Sequence, residues 1–457
     1  MKFIFLLFIF FTGFTNPVFA DETTKDEKAS LETKKSKVIT LTPVQILNIS
    51  KNLIADKKYD DARFLLTKSV FNVKELEIER LHLIATIDIA EGKIDDAIEI
   101  YKFILNYQPN ISSIRLKLAE LYLLKKAYYR AGYHFRLAAA DKNLPKEVQN
   151  NVAMALYFIR QNKNWNFWFN FGAAPDNNIN NATGGEQCID TAFGVLCNQL
   201  AEKERAVGFN ISFGGNYEFK LSDRWRLRNE FTVYNSLYDK SNYNDLYLSY
   251  VVGGKYIWQN GDVFSGLAFS KRWLGGEQYN RTFGGKVDLN YDFSKHISGA
   301  LGFYFTPTFY NDYSDVLNGD VYGVRSRLFY AFDSSKYIVL KCGFEKEDTK
   351  SEGYSNIKKS YAIGLGMELP YGFSLYVEPS VQYVDYDGER YFVKNMSYVP
   401  LKESDVTRKY TLSFSNRNIK FWGFVPSLTY VYTDKNSNIW QKEYSKSTVE
   451  FTVNQNF

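Results

Sequence analysis

Residues 225–233 read WRLRNEFTV, and residues 282–293 read TFGGKVDLNYDF. In the first, Trp225, Leu227, Phe231 and Val233 share one parity, and Arg226, Arg228, Glu230 and Thr232 share the other. In the second, Phe283, Val287, Leu289 and Tyr291 oppose Lys286, Asp288 and Asn290. Alternation at period two sends successive side chains to opposite faces of a strand. Each strand therefore has one apolar face and one charged face. Segments of this kind recur from Trp165 to Phe457 without a helical period between them. A closed antiparallel barrel pairs the edges of all of them. Aromatic residues make up 17% of the chain, with 35 Tyr and 37 Phe, which suits girdles at two membrane interfaces.

Fourteen strands are expected, near 165–173, 205–219, 224–236, 244–258, 262–273, 282–293, 297–310, 319–332, 337–347, 359–369, 373–385, 406–416, 419–432 and 446–457. Single-chain bacterial barrels have an even number. Short turns at 221–223, 259–261, 294–296, 334–336 and 370–372 alternate with longer connections, including 174–204 and 386–405. Short turns of such barrels face the periplasm and long loops face outward. An even count then returns the carboxy terminus to the periplasm, and terminal Phe457 reads as the end of a closing strand and an assembly signal. A Lys or Arg on the lipid face costs about 2–4 kcal/mol at the midplane. Arg226, Arg228, Glu230, Lys286, Asp288, Arg325, Arg327, Lys341 and Glu345 are therefore assigned to the lumen. Both signs occur there, which argues against strong ion selectivity. The plainer reading of these charges is a mutually paired structural lining.

Between Leu41 and Asn164 the period becomes helical. Ala85 recurs as Ala119, Ile94 as Tyr128, Ala97 as Ala131 and Tyr101 as Phe135, each 34 residues later. Small residues at two helix-crossing positions, with an aromatic four residues after the second, form the tetratricopeptide pattern. Gly92 falls at a turn and Pro109 near a repeat end. Units are expected at 43–77, 78–111 and 112–145, with a closing helix at 146–162. The third unit departs from the pattern, with Lys126 at the turn and Asn143 at the proline position. First helices of such pairs line a groove, here Glu79, His82, Thr86, Ser113, Leu116 and Glu120. Such grooves bind extended peptides or partner domains. For any one of these residues the plainer reading is a solvated face.

Residues 1–20, MKFIFLLFIFFTGFTNPVFA, read as a signal peptide cleaved after Ala20. Residues 21–40 are charged and poor in large apolar residues, and read as a disordered linker. No later apolar run is long enough for a membrane helix, and the mean hydropathy is −0.33. The net charge of +5 is spread along the chain, so nucleic acid is not an expected partner. Of three cysteines, Cys188 and Cys197 share one polar loop, and export to an oxidising compartment makes a disulfide between them an expectation. Cys342 lies on an apolar strand face. His82, His134 and His296 stand in no metal-ligand spacing, and no nucleotide loop or nucleophile motif appears. A non-enzyme without metal or cofactor is expected.

The expected fold class is α + membrane β: a small tetratricopeptide-repeat helical solenoid over 41–162, followed by a 14-stranded antiparallel transmembrane β-barrel over 165–457. That order resembles the surface lipoprotein assembly modifiers, the Slam family of type XI secretion. Residues 168–183, WFNFGAAPDNNINNAT, resemble the family's first strand and its exit. Residues 405–457 resemble its end, with the NRNI turn at 416–419, Gly423, Pro426, the DKNSNI tip at 434–439 and Phe457. The loop holding Cys188 and Cys197 is not part of that likeness. The resemblance implies an outer-membrane translocator with its helical domain in the periplasm. Its implied cargo is a surface lipoprotein or a related soluble haemophore-type protein. Periplasmic chaperones, the barrel assembly machinery and outer-membrane lipid are the other implied partners. An exopolysaccharide exporter, which carries longer repeat arrays, and a porin-like channel are the competing readings.

Overall fold

The computed structural model describes residues 41–183, 186–191, 194–199, 202–394, 397–419 and 424–456. The expected signal peptide with Ala20, the expected linker at 21–40 and Phe457 lie outside the described residues.

Among the described residues, seven helices precede the barrel. They are α1 (Pro43–Ala55), α2 (Tyr59–Lys68), α3 (Lys74–Ala90), α4 (Ile94–Tyr107), α5 (Ser112–Leu124), α6 (Tyr128–Ala139) and α7 (Lys146–Asn162). Small residues sit where the helices cross. Ala62, Ala85, Ala97, Ala119 and Ala131 are fully buried, and Tyr101 and Phe135 fill the gaps beside them. A larger side chain at a crossing would hold the backbones apart. The arrangement is compatible with tetratricopeptide pairs. Each pair turns on a residue of positive φ, at Lys57, Gly92 and Lys126. The third turn thus keeps the left-handed backbone even where lysine replaces glycine.

Sixteen strands follow among the described residues: β1 (Trp165–Asp176), β2 (Glu186–Thr191), β3 (Gly194–Gln199), β4 (Ala206–Lys220), β5 (Trp225–Tyr238), β6 (Asp245–Trp258), β7 (Gly261–Leu274) and β8 (Glu277–Asp292) form the first half. The second half is β9 (Ile297–Tyr310), β10 (Gly319–Ala331), β11 (Lys336–Thr349), β12 (Asn356–Glu368), β13 (Phe373–Lys394), β14 (Ser397–Asn416), β15 (Val425–Ser437) and β16 (Tyr444–Asn456). Fourteen of them close into an antiparallel barrel in which β1 pairs with β16 on one side and β4 on the other. The expected strand number is therefore the one found. No helix among the described residues is long and apolar enough to cross a membrane.

Two expected long loops are partly sheet. The segment 174–204 contains a separate ribbon of β2 and β3. The segment 386–405 carries β13 and β14 onward as a paired hairpin, with a register shift between Asp385 and Glu389. Asp387 and Gly388 lie within that shift. Arg390 holds the extension: it pairs with Glu403 and lies over the rings of Tyr354, Tyr386 and Phe392.

The inner wall uses glycine where a tyrosine ring lies flat on the sheet. A Cβ at Gly323 or Gly364 would fall inside the ring of Tyr304 or Tyr376. These two glycines thus make room for a ring.

Candidate functional site: a barrel mouth covered by helices

The lumen charges pair with one another. Arg228 bonds Glu230 at 2.5 Å and Glu218 at 3.3 Å. Lys286 reaches Glu230 at 2.5 Å and Asp288 at 2.9 Å. Lys341 pairs with Glu378 at 2.6 Å, and Lys358 with Glu345 at 2.9 Å. Arg325 stacks over Tyr304 at 4.4 Å. All of these but Glu218 and Glu378, together with Arg327, line a cavity of about 1380 Å3 inside the barrel. A folded 100-residue domain, with a radius of gyration of about 13 Å, is too large for it. Arg226 stands apart, buried at the short-turn mouth, where it donates to the Gln161 carbonyl at the end of α7 at 2.7 Å.

That mouth is where the helices meet the barrel. Residues three and four apart share a helix face, and Tyr129, Tyr133 and Arg136 on α6 form one such face. Tyr133 donates to Glu368, the last residue of β12. Glu368 also accepts from Arg115 Nη2 of α5 at 2.7 Å, and pairs with Arg417 in the turn after β14. Arg115 is fully buried and spends a further N–H on the Pro109 carbonyl. A buried guanidinium demands such partners, since an unpaired charge inside a protein is strongly disfavoured. Beyond Tyr133 a cavity of about 200 Å3 is lined by the inward tyrosines Tyr337 and Tyr376 and by Ser413. Tyr133 therefore looks into the lumen.

A second anchor lies across the mouth. Arg160 of α7 donates to the Gln259 carbonyl at 2.7 Å, pairs with Asp292 and approaches Asp262 at 3.6 Å. Arg136 of α6 has Asp292, Arg160 and Arg327 as charged neighbours. Burial, then Arg136 and Lys255, pull the Lys163 ammonium down to about 8. Contacts from β5 round to the turn after β14 thus hold α5, α6 and α7 over the opening.

The six residues assigned to a groove lie on the first helices. Glu79 pairs with Lys51 of α1 at 2.8 Å, and His82 Nδ1 lies 3.1 Å from the Tyr101 hydroxyl. Thr86 donates to the His82 carbonyl at 2.9 Å, and Lys117 pairs with Glu120 at 2.9 Å. Burial lowers the His82 imidazole, which has Glu79, Lys117 and Lys51 as charged neighbours. So α1, α3 and α5 share this face. At 100° per residue, Ser113, Leu116 and Glu120 point to the side of α5 away from Arg115. The groove face therefore turns away from the mouth that α6 covers.

The side chains of Cys188 and Cys197 lie outside the described residues, but the backbone register sets the two positions directly opposite in the β2–β3 ribbon. Among the described residues no group of His, Cys, Asp and Glu is arranged to hold a metal. Sequence reasoning missed Glu368, Arg115, Tyr133, Arg417 and Arg160. One signal was available: Arg115 sits between Ile114 and Leu118, inside a buried stripe, and needs a partner. The partner lies 253 residues away, beyond any local pattern.

A closed fourteen-strand barrel with a helical array over one mouth defines a class of membrane protein: a barrel with a module that covers its opening. The model of the family described as "Surface lipoprotein assembly modifier" matches residues 165–457, the whole barrel. The chain belongs to that family. A surface lipoprotein assembly modifier of Pasteurella multocida is 23% identical over 395 residues, covering 80% of this chain and 74% of its own. The surface lipoprotein assembly modifier 1 of Haemophilus influenzae is 24% identical over 389 residues, with coverage of 81% and 76%. The structure of Pseudomonas aeruginosa OprD gives a TM-score of 0.34 at 10% identity, covering 64% of this chain and 94% of that one. Membership of the family places the protein in the outer membrane, with a role in surface lipoprotein assembly.

Proposed function

We propose that this protein moves specific surface lipoproteins, or related soluble haemophore-type proteins, from the periplasm to the cell surface. The match of the whole barrel to the surface lipoprotein assembly modifiers carries this reading. Short turns of such barrels face the periplasm, and this supports a periplasmic position for the covered mouth and its helices. The face of α1, α3 and α5 then opens toward the periplasm and receives the cargo or its chaperone as an extended segment. The protein acts by binding and passage, with no chemical step. As it stands α6 lies over the mouth, and the lumen is too small for a folded domain. Passage through it requires the Glu368 and Arg160 anchors to release.

Deleting the gene and measuring protease-accessible surface lipoproteins and the secreted proteome tests the function. Loss of one or a few surface proteins is the expected result. Unchanged surface and secreted proteins with loss of a polysaccharide would overturn it in favour of a polysaccharide exporter.

A further inference from the structure

The outer face of the barrel carries exposed aromatic rings at its short-turn end. Trp225, Phe293, Phe332 and Tyr371 are 50, 62, 47 and 65% exposed beside four of those turns. Aromatic residues at this level of a barrel sit among lipid headgroups. The belt does not stop at the strands. On α4, Phe103 and Tyr107 lie one turn apart and are 47 and 44% exposed. Their rings meet at 4.9 Å, and Tyr107 meets Tyr371 edge-on at 5.9 Å. The position of Phe103 is a covered one in the next repeat, where Leu137, 34 residues later, is 2% exposed.

We propose that α4 rests on the inner leaflet of the outer membrane, with Phe103 and Tyr107 in its headgroup and upper acyl region. The inference rests on the reading of the barrel as an outer-membrane span and extends it to a helix outside the barrel. Continuity with Tyr371 selects lipid as the occupant. Two aromatic rings one turn apart bring a large apolar area with few torsions to immobilise, which is how interfacial helices hold to a bilayer. Such a seat anchors the second repeat to the membrane while α6 covers the mouth. Release of Glu368 would then let the solenoid swing about α4 without leaving the barrel.

The test uses the full chain in vesicles of phosphatidylethanolamine and phosphatidylglycerol, with a photo-reactive residue introduced as Phe103→p-benzoylphenylalanine. The same change at Phe414, on the outer face of β14, is the lipid-facing reference. The change at Ser113, on the groove side of α5, is the aqueous one. After irradiation, the gain of one phospholipid mass is expected at 103 and 414 and not at 113. No adduct at 103 beside a clear adduct at 414 overturns the seat, as does equal labelling at 113. No adduct at 414 overturns the membrane-spanning reading itself, and the seat with it. Photo-adducts of 103 with protein instead of lipid, in intact cells, also overturn the seat.

Discussion

Glu368 answers two guanidiniums and a phenol with one carboxylate. Removing its charge leaves Arg115 and Arg417 facing each other without a counter-ion. Breaking a buried pair in this way costs about 3–5 kcal/mol. Glu368→Gln is therefore expected to undock α5 and α6 while the barrel, held by its own ladder, stays closed. Limited proteolysis should show faster cleavage at 125–127 and 140–145, with unchanged heat-resistant migration of the barrel. His134 gives this region a pH dependence. It lies 3.4 Å from Arg115, stacks on Tyr122 and meets Tyr133 edge-on. Burial first, and Arg115 second, hold its imidazole down to about 3 from an ordinary 6.5. Between those values the unfolded helix binds a proton that the folded one refuses. The stability is thus complete above 6.5 and is lost as pH falls toward 3. Helical melting followed by circular dichroism should lose stability over that range, and His134→Gln should flatten the loss by one proton's worth.

The helical pairs depend on small residues and one unusual backbone angle per turn. Lys126 adopts φ of 57° where the preceding repeat has Gly92. A left-handed lysine is strained by roughly 1–2 kcal/mol, partly offset in glycine by greater freedom when unfolded. Lys126→Gly should stabilise the helical segment by somewhat under about 1 kcal/mol, seen as a raised melting temperature. The β2–β3 ribbon places Cys188 opposite Cys197, the spacing that a cross-strand disulfide needs. Intact mass before and after reduction should differ by two hydrogens; identical masses would refute the bond.

Much at this scale was legible because it is local. Period two marks each strand where one face meets lipid, and a 34-residue offset marks the helix crossings. Strand ends were legible only as far as the membrane reaches. β8 starts at Glu277, while alternation in the sequence starts at Thr282: EQYNR at 277–281 has polar or charged residues on both parities, so no apolar parity marks them. The bulged hairpin after Asp385 was hidden for the same reason.

The whole molecule is a barrel whose opening is covered by its own amino-terminal helices. Residues 43–457 form one compact unit. If the helices close the lumen, the full chain should conduct poorly in planar bilayers. A chain lacking 41–162 should conduct more and should fail to display cargo on cells. Cargo display without 41–162 would refute the groove as the receiving site. The alternation of 165–457 and the small-residue repeat before it were enough to determine two architectures and their order, because strand and helix faces are set by neighbours two to four residues away. Tertiary structure alone decided how the two meet: which helix covers the mouth, that Arg115 finds Glu368, and that the shared face of α1, α3 and α5 turns away from the lumen. Those contacts join residues 65 to 253 positions apart, and only the closed barrel brings them within reach of a hydrogen bond.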